Sequence, residues 1–294
     1  MRRVGSILCT GLLLAGALTS RALAADPKVP PGTDPGGIAI ALIGEGVDYT
    51  DPQIAERLAR DGEGEIIGWD LVDGDRFPYA AGTPATDTPT GTDLARRLLK
   101  VYKHARLIPI RVASLEPTTI AKVVALLAKT PARIVAIPAW GSDRAQWELF
   151  RQVAEQARGL LLVVSAGDQP ALMSAAPSWP SGFRLDNVVS AAPAELHPRR
   201  GGSRLEAESA AASVDAWMVA AATTMLPLPS AKTTLSPQEA VVLAAGLAAC
   251  AQHSAPATDG RAAKAALSAL ARPSKDDPQI EVHDPMCWYG GVRY

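Results

Sequence analysis

The sequence is poor in cysteine, which limits both metal binding and covalent cross-linking. Its 294 residues include three cysteines, of which Cys9 falls within an apolar N-terminal leader. The other two, Cys250 and Cys287, have no neighbouring residues that would complete a tetrahedral set of metal ligands. We therefore expect no metal site and no cofactor. The pair could form a disulfide in an oxidising compartment, although sequence spacing alone does not place the two Cα atoms within bridging distance.

The sequence also lacks an excess of charge of either sign. Its formal net charge is −1, and three of its 29 basic residues, Arg2, Arg3 and Arg21, lie in a leader that contains no acidic residue. The residues from Ala25 onward therefore carry 26 basic and 30 acidic side chains, a net charge of −4. Nucleic acid is not expected as a partner, because its binding requires a concentration of positive charge.

No hydrophobic run is long enough to be read as a membrane span. The apolar stretch Val4–Leu18 is shorter than the about 20 residues needed to cross roughly 30 Å of hydrocarbon, and Arg21 interrupts its continuation. It follows a basic start and precedes Ala22–Ala24, whose small-x-small pattern is typical of signal-peptide cleavage. Residues 1–24 are therefore predicted to be a cleaved signal peptide, and the mature protein to be secreted or periplasmic, with no membrane span.

The remaining sequence predicts an α/β domain. Residues 25–37 are rich in Pro and Gly and are interpreted as a linker, and residues 38–294 as one domain. Short runs of consecutive apolar residues predict strands covered on both faces. They alternate with helical patterns, which indicates a mostly parallel sheet with helices on both faces. The predicted strands are Ile38–Ile43, Ile66–Val72, Leu107–Val112, Ile134–Pro138, Leu160–Ser165 and Val188–Ala191. The predicted helices are Pro52–Arg60, Asp93–Tyr102, Thr118–Leu127, Asp143–Arg158, Pro237–Ala251 and Gly260–Ala271.

Seven segments match, in order, the sequence blocks of a known enzyme family. Ile40–Asp48 reads I-A-L-I-G-E-G-V-D, against V-A-V-I-D-T-G-V-D in that family. Thr90–Ala95 reads T-G-T-D-L-A, against H-G-T-H-V-A. The other matching segments are Ile67–Asp75, Ala105–Val112, Ile137–Ser142, Leu162–Asp168 and Asn187–Ala191. The chain thus resembles the subtilases, the subtilisin-like serine peptidases, and the resemblance implies their three-layer α/β fold.

The resemblance also implies a set of catalytic positions, and this sequence departs from the family at three of them. A subtilase uses an Asp to orient a His, which removes the proton from a Ser, while an Asn donates to the oxyanion. Gly44 stands at the Asp position and Thr90 at the His position. Asp168 stands at the Asn position, where a carboxylate repels the developing oxyanion unless it is protonated.

The nucleophile position admits two alignments. Aligning the helix that follows places Ser236 there, whereas aligning the proline of the family's G-T-S-M-A-A-P block places Thr233 there. Ser236 has a second interpretation that involves no catalysis. A Ser followed three residues later by Glu239, ahead of an apolar run, is the sequence of a helix-capping box. Both interpretations of Ser236 remain open from the sequence.

These departures predict that the protein is not an ordinary serine peptidase. We expect an exported pseudoprotease that acts as a binding or scaffold protein of the cell envelope. Its partner would be an extended peptide or another envelope protein, because the family pairs an extended peptide beside the strand that corresponds to Ile134–Pro138. The predicted contact residues are Ala139, Trp140 and Gly141.

The alternative is a serine-type endopeptidase with a non-standard catalytic set, active in acid if Asp168 is protonated. Glu45 could then replace the missing Asp, but alternate side chains of a strand point to opposite faces, which predicts that Glu45 faces away from the site unless the strand bulges. A displaced histidine is also considered as the base. His104 is expected in a solvated turn, and the other three fall in polar segments: His197, His253 and His283.

Overall fold

The computed structural model describes residues 26–81, 89–167, 177–194, 196–199, 202–205, 216–219, 235–273 and 280–282. Side chains are described for residues 26–81, 89–167, 177–193 and 235–269. The predicted signal peptide lies outside these residues. No helix among them is both long and apolar enough to cross a lipid bilayer.

A seven-stranded sheet forms the centre of the molecule, with the strand order β2-β3-β1-β4-β5-β6-β9. Every pairing in it is parallel. Its strands are β1 Ala39–Gly44, β2 Trp69–Asp70, β3 Arg106–Arg111, β4 Ile134–Ile137, β5 Leu161–Ser165, β6 Val188–Ala194 and β9 Ala216–Val219. Two small antiparallel pairs join β7 Leu196–Arg199 to β8 Gly202–Leu205, and β10 Ala271–Pro273 to β11 Ile280–Val282. The predicted α/β class with a parallel sheet is confirmed.

Six α-helices are present among the described residues. They are α1 Pro52–Ala55, α2 Gly91–Val101, α3 Pro117–Leu127, α4 Glu148–Gln156, α5 Pro237–Ser254 and α6 Gly260–Leu270. A 3₁₀ turn, Arg144–Trp147, precedes α4, where the sequence predicts a continuous α-helix. The α1 helix is shorter than predicted. The residues predicted to form its second half instead pair alongside β3. The Leu107 amide donates to the Arg57 carbonyl, and the Leu107 carbonyl accepts from the Ala59 amide.

The second strand is also shorter than predicted. The sequence predicts Ile66–Val72, but β2 comprises two residues. The chain turns directly after β2 because the Asp70 carboxylate accepts hydrogen bonds from the backbone amides of Val72 and Asp73, at 2.7 and 3.0 Å. Gly74, with φ of 80°, completes this turn in a conformation that suits glycine.

Helices cover both faces of the sheet, which gives three layers. Alternate residues of β1 belong to different cores, as the two-residue period of a strand requires. Ile40 and Leu42 pack in the core that contains α2, α5 and α6. Ala41 and Ile43 pack in the core that contains α3 and α4. The three-layer α/β arrangement predicted from the sequence is therefore present.

Helices α2 and α5 lie side by side and run in the same direction. Arg97 of α2 pairs with Glu239 near the start of α5. Further along both helices, a Cβ built on Gly246 would lie 2.9 Å from Val101 and 3.3 Å from the Leu98 carbonyl oxygen. Because the contacts advance along both chains together, the N-termini of α2 and α5 lie at the same end of the sheet.

The segment predicted as a linker packs against the domain where it is described. The Tyr49 hydroxyl donates to the Pro27 carbonyl, and Arg60 donates to the Pro30 carbonyl, at 2.8 and 2.7 Å. Asp34 accepts from the Arg60 amide and from Arg106. Although burial opposes it, hydrogen bonds from the Arg60 and Gly36 amides and from Arg106 hold the pKa of Asp34 below its ordinary value.

Replacing Gly246 by Val tests the close approach of α2 and α5. The added side chain would overlap Val101, whose branched side chain has little rotamer freedom in a helix. We expect Gly246→Val to lower the free energy of unfolding by about 2–3 kcal/mol in denaturant titrations. Gly62→Val is the control, because a Cβ at Gly62 would meet nothing within 4 Å. Equal stability of the two variants would contradict the described packing.

Candidate functional site

The carboxyl ends of β1 and β4 lie next to each other at a reversal of strand order. The chain leaves β1 toward β2 and β3 on one side of it, and leaves β4 toward β5 on the other. In open parallel sheets, ligands bind in the crevice outside the carboxyl ends of the strands at such a reversal. Gly44 and Ala139–Gly141 lie at this edge, together with Thr90 and Ser236 at the N-termini of α2 and α5, whereas Cys250 lies further along α5.

Gly44 is the last residue of β1 and has open space beside it. It is partly exposed, and a Cβ built on it would meet nothing within 4 Å. The structure therefore has room for a side chain at this position, but glycine offers none. No carboxylate can come from residue 44 itself.

The next residue, Glu45, points toward α2, and the predicted orientation away from the site is wrong. Its carboxylate accepts a hydrogen bond of 3.0 Å from the Gly91 amide, in the first turn of α2. Strand alternation does not hold here because β1 ends at Gly44 and the backbone turns at Gly46, where φ is 99°. Gly91 is needed for this approach, since a Cβ there would lie 2.0 Å from the Gly46 carbonyl oxygen.

Thr90 is the N-cap of α2, and its hydroxyl is fully engaged in that role. The Oγ1 atom accepts from the Asp93 amide at 3.2 Å and donates to the Asp93 carboxylate at 2.9 Å. The same carboxylate accepts from the Thr90 amide, which completes a capping box. The hydroxyl stabilises the helix, and threonine offers no imidazole base at this point.

Ser236 is the N-cap of α5. Its Oγ atom accepts from the Glu239 amide at 3.2 Å, and the Glu239 carboxylate accepts from the Ser236 amide at 2.6 Å. This is the capping box that the sequence suggests as one interpretation of Ser236. The other interpretation, as nucleophile, stays a prediction.

Glu239 also joins the two helices of the site. Its second carboxylate oxygen lies 2.9 Å from Arg97 Nη2, and the side chains of Arg97 and Glu239 are only 12% and 5% exposed. One further nitrogen of Arg97, Nη1, is buried without a hydrogen-bond partner. The sequence signals the capping role of Glu239 but contains no signal for its pairing with Arg97.

The histidines with described side chains lie far from the nucleophile candidate. His104 follows α2 and His253 belongs to the last turn of α5, and their rings stack at 6.1 Å. His253 comes 17 residues after Ser236, which is about 25 Å along a helix at 1.5 Å per residue. Burial, and then the charge of Lys103, lower the pKa of His104. Neither ring can act as a base for Ser236, while His197 and His283 have side chains outside the described residues.

The predicted peptide-contact residues follow β4. Ala139 is buried, and Trp140 is partly exposed beside Gly167. Gly141 is already paired, because its amide and carbonyl both bond to Trp179 at 2.8 Å. Pairing of an added strand at Gly141 would have to displace these two bonds. The contact roles of the three residues stay predictions.

Three other predicted site residues lie outside the described residues. These are Asp168, Thr233 and Cys287. Cys250 is buried within α5 and is disulfide-bonded. The pairing of Cys250 with Cys287 therefore stays a prediction.

An acidic cluster near β2 is an ion-pair network. Asp26, Asp70 and Asp73 place carboxylate oxygens within 4.8 Å of one another. The guanidinium of Arg111 contacts two of these carboxylates, at 2.6 Å for Asp70 and 2.5 Å for Asp73. The hydrogen bonds that Arg111 donates to Asp70, and then to Asp73, raise the pKa of Arg111 although burial opposes them. A permanent positive charge thus occupies this cluster.

Comparison with known proteins identifies the fold. No protein-family model and no curated protein matches the chain. A lanthipeptide protease structure aligns with a TM-score of 0.57 and 16% identity, over 87% of this chain and 88% of that one. A cold-adapted subtilisin-like serine proteinase aligns with a TM-score of 0.55 and 14% identity, over 88% and 92%. A Pseudoalteromonas arctica protease aligns with a TM-score of 0.54 and 17% identity, over 82% and 84%.

The chain has a subtilisin-like fold. TM-scores of 0.54–0.57 show a shared fold, and sequence identities of 14–17% do not carry an activity from one protein to the other. The function of this subtilisin-like chain must therefore be inferred from its own residues at the carboxyl edge of the sheet.

Replacing Glu239 by Gln tests the ion pair that joins the site helices. The substitution leaves the buried Arg97 charge without its carboxylate, so we expect a loss of about 3 kcal/mol in the free energy of unfolding. Glu155→Gln is the matched control, because Glu155 is 47% exposed where it pairs with Arg151. That variant should lose less than about 1 kcal/mol. A Glu239→Gln variant as stable as the control in denaturant titrations would refute the buried pair.

Proposed function

We propose that this protein is an exported subtilisin-like pseudoprotease, a protein without peptidase activity that binds a partner in the cell envelope. The observation that carries the proposal is that the hydroxyl groups of Thr90 and Ser236, at the carboxyl edge, both take part in capping boxes. Gly44 contributes no carboxylate.

The chemistry of serine peptidases explains why this arrangement favours inactivity. A serine hydroxyl becomes a nucleophile when a base within hydrogen-bond reach takes its proton. The hydrogen bond described for Ser236 Oγ comes from a backbone amide, which is a donor and cannot act as a base. Loss of any triad member leaves a residual rate only about 10³–10⁴-fold above that in water. Two triad positions here hold Gly44 and Thr90.

The same edge supports a binding role. The space beside Gly44 is open, and Trp140 is partly exposed where β4 ends. Aromatic side chains supply large contact areas at low entropic cost, which suits them to peptide contacts. The partner that fits is an extended segment of another envelope protein. This segment would contact Trp140 and occupy the open space beside Gly44.

A second candidate function is favoured by one observation. The Glu45 carboxylate lies at the first turn of α2, next to Thr90. A carboxylate in this place could serve as the base of an acid-acting serine-type endopeptidase, with a protonated Asp168 as the oxyanion donor. Thr233 or Ser236 would then be the nucleophile.

An activity assay separates the two candidates. Mature protein starting at Ala25 is treated with a fluorophosphonate probe and with an unstructured protein substrate from about pH 3 to pH 9. We expect neither labelling nor cleavage by the folded protein. Activity that disappears in Ser236→Ala or Thr233→Ala would overturn the proposal and identify the nucleophile. An acid optimum that also disappears in Glu45→Gln would establish the second candidate.

Photo-cross-linking tests the binding role. A benzophenone amino acid is placed at Trp140, and for comparison at Leu149, which is 42% exposed in α4. Irradiation with envelope extract should give a discrete adduct from position 140 that an excess of unlabelled protein suppresses. Equal adducts from both positions, or none from position 140, would contradict binding at the carboxyl edge.

A further inference from the structure

A second concave site lies at the opposite edge of the sheet, where β1, β3, β4 and β5 begin. Its volume is about 450 Å³, within the range of small-molecule sites. The floor is apolar and is formed by Ala39, Ala132 and Leu160, which are all buried. The ends of α3 and α4 contribute Ala128 and Ala157 to the wall. Nothing in the subtilisin-like arrangement of the other edge involves these residues.

Three arginines line this cavity, and its described lining contains no acidic residue. Arg133 is exposed, and its side chain makes no hydrogen bond or ion pair with the described part of the chain. Arg158 donates from Nε to the Glu155 carbonyl at 3.2 Å. The third, Arg106, pairs through Nη1 with Asp34 at 2.7 Å. The cavity therefore carries more positive charge than its described neighbours neutralise.

The polar groups of Arg106 are incompletely satisfied. Its Nε atom is buried and has no hydrogen-bond partner. A buried donor without an acceptor costs free energy. Asp34 and the described backbone therefore leave one donor of Arg106 unmatched.

Helix ends supply a competing explanation for two of these arginines. The carbonyl ends of α3 and α4 each carry about half a negative charge, which basic side chains commonly offset. Together they amount to about one negative charge, and Asp34 adds another. Three guanidinium groups still leave an excess of about one positive charge, and exposed Lys129 follows α3 closely. Offsetting the helix ends therefore does not account for the whole charge.

We propose that this cavity binds a small organic anion that carries two or more phosphate or carboxylate groups. Guanidinium groups match both groups with paired, charge-assisted hydrogen bonds. Arg133 and Arg158 would bind the anionic groups at the rim, and the guanidinium charge of Arg106 in the lining would add to the attraction. The apolar floor would contact the body of the ligand.

Calorimetric titration with two probes tests this site. Pyrophosphate and citrate are titrated separately into the full-length mature protein at constant ionic strength. We expect saturable binding of at least one probe to a single site, and the probe that binds more tightly distinguishes phosphate from carboxylate recognition. Arg133→Gln and Arg158→Gln should each weaken binding by about three- to tenfold. Both side chains are exposed, so folding should be retained.

The matched control removes a guanidinium from the other edge of the sheet. Arg144 is exposed and lies over the Trp179 ring at 5.3 Å, after the carboxyl end of β4. Arg144→Gln should bind the probes as the unaltered protein does. Absence of saturable binding for both probes would overturn the proposal. It would also be overturned if Arg133→Gln and Arg158→Gln bound as tightly as Arg144→Gln.

Discussion

The buried ion pair between Arg97 and Glu239 determines how the starts of α2 and α5 lie against each other. Both helices pack on one face of a parallel sheet, so their N-termini face the edge at which the strands end. The ion pair holds the turn of α2 that contains Arg97 against the first turn of α5. Further along, the close contact of Gly246 with Val101 sets the distance between the two helices. Thr90 and Ser236 occupy the same edge as Gly44 as a consequence of this packing.

Helix N-termini serve two different purposes in proteins of this kind. Their unpaired amides can stabilise a reacting or bound anion, or they can be satisfied by side chains of the same helix. In this chain the amides are satisfied by side chains of the same helix. The Asp93 carboxylate accepts from the Thr90 amide, and the Glu239 carboxylate accepts from the Ser236 amide. The carboxylate of Glu45 also accepts from the Gly91 amide at the start of α2. The edge keeps its subtilisin-like geometry while its hydroxyl and amide groups are used for stability.

The sequence predicts the central strands well because each is an apolar run buried on both faces. It does not predict the end of β2, where one aspartate, Asp70, binds two amides and turns the chain. The orientation of Glu45 depends on where β1 stops, and a one-residue difference reverses the side to which a side chain points. The two small antiparallel pairs have no comparable apolar run, whereas β9 has one, Ala216–Val219, that is not among the strands predicted from the sequence.

Contacts between distant segments account for the other features that sequence reasoning misses. Arg97 and Glu239 are separated by more than 140 residues, and neither shows its partner in its local pattern. The basic cavity combines Arg106, the first residue of β3, with Arg133 and Arg158, which precede β4 and β5. A capping box, by contrast, is local, which is why Ser236 and Glu239 can be recognised from four residues of sequence.

The central claim is that Ser236 serves as a helix cap and has no catalytic role. The most direct measurement compares the free energy of unfolding and fluorophosphonate labelling of the unaltered protein with those of Ser236→Asn and Ser236→Ala. Asparagine caps helices as well as serine does, whereas alanine costs about 1 kcal/mol. The account predicts that the Asn variant keeps its stability, that the Ala variant loses about 1 kcal/mol, and that none of the three proteins is labelled. Labelling of the unaltered protein that both substitutions abolish, with stability unchanged, would contradict it.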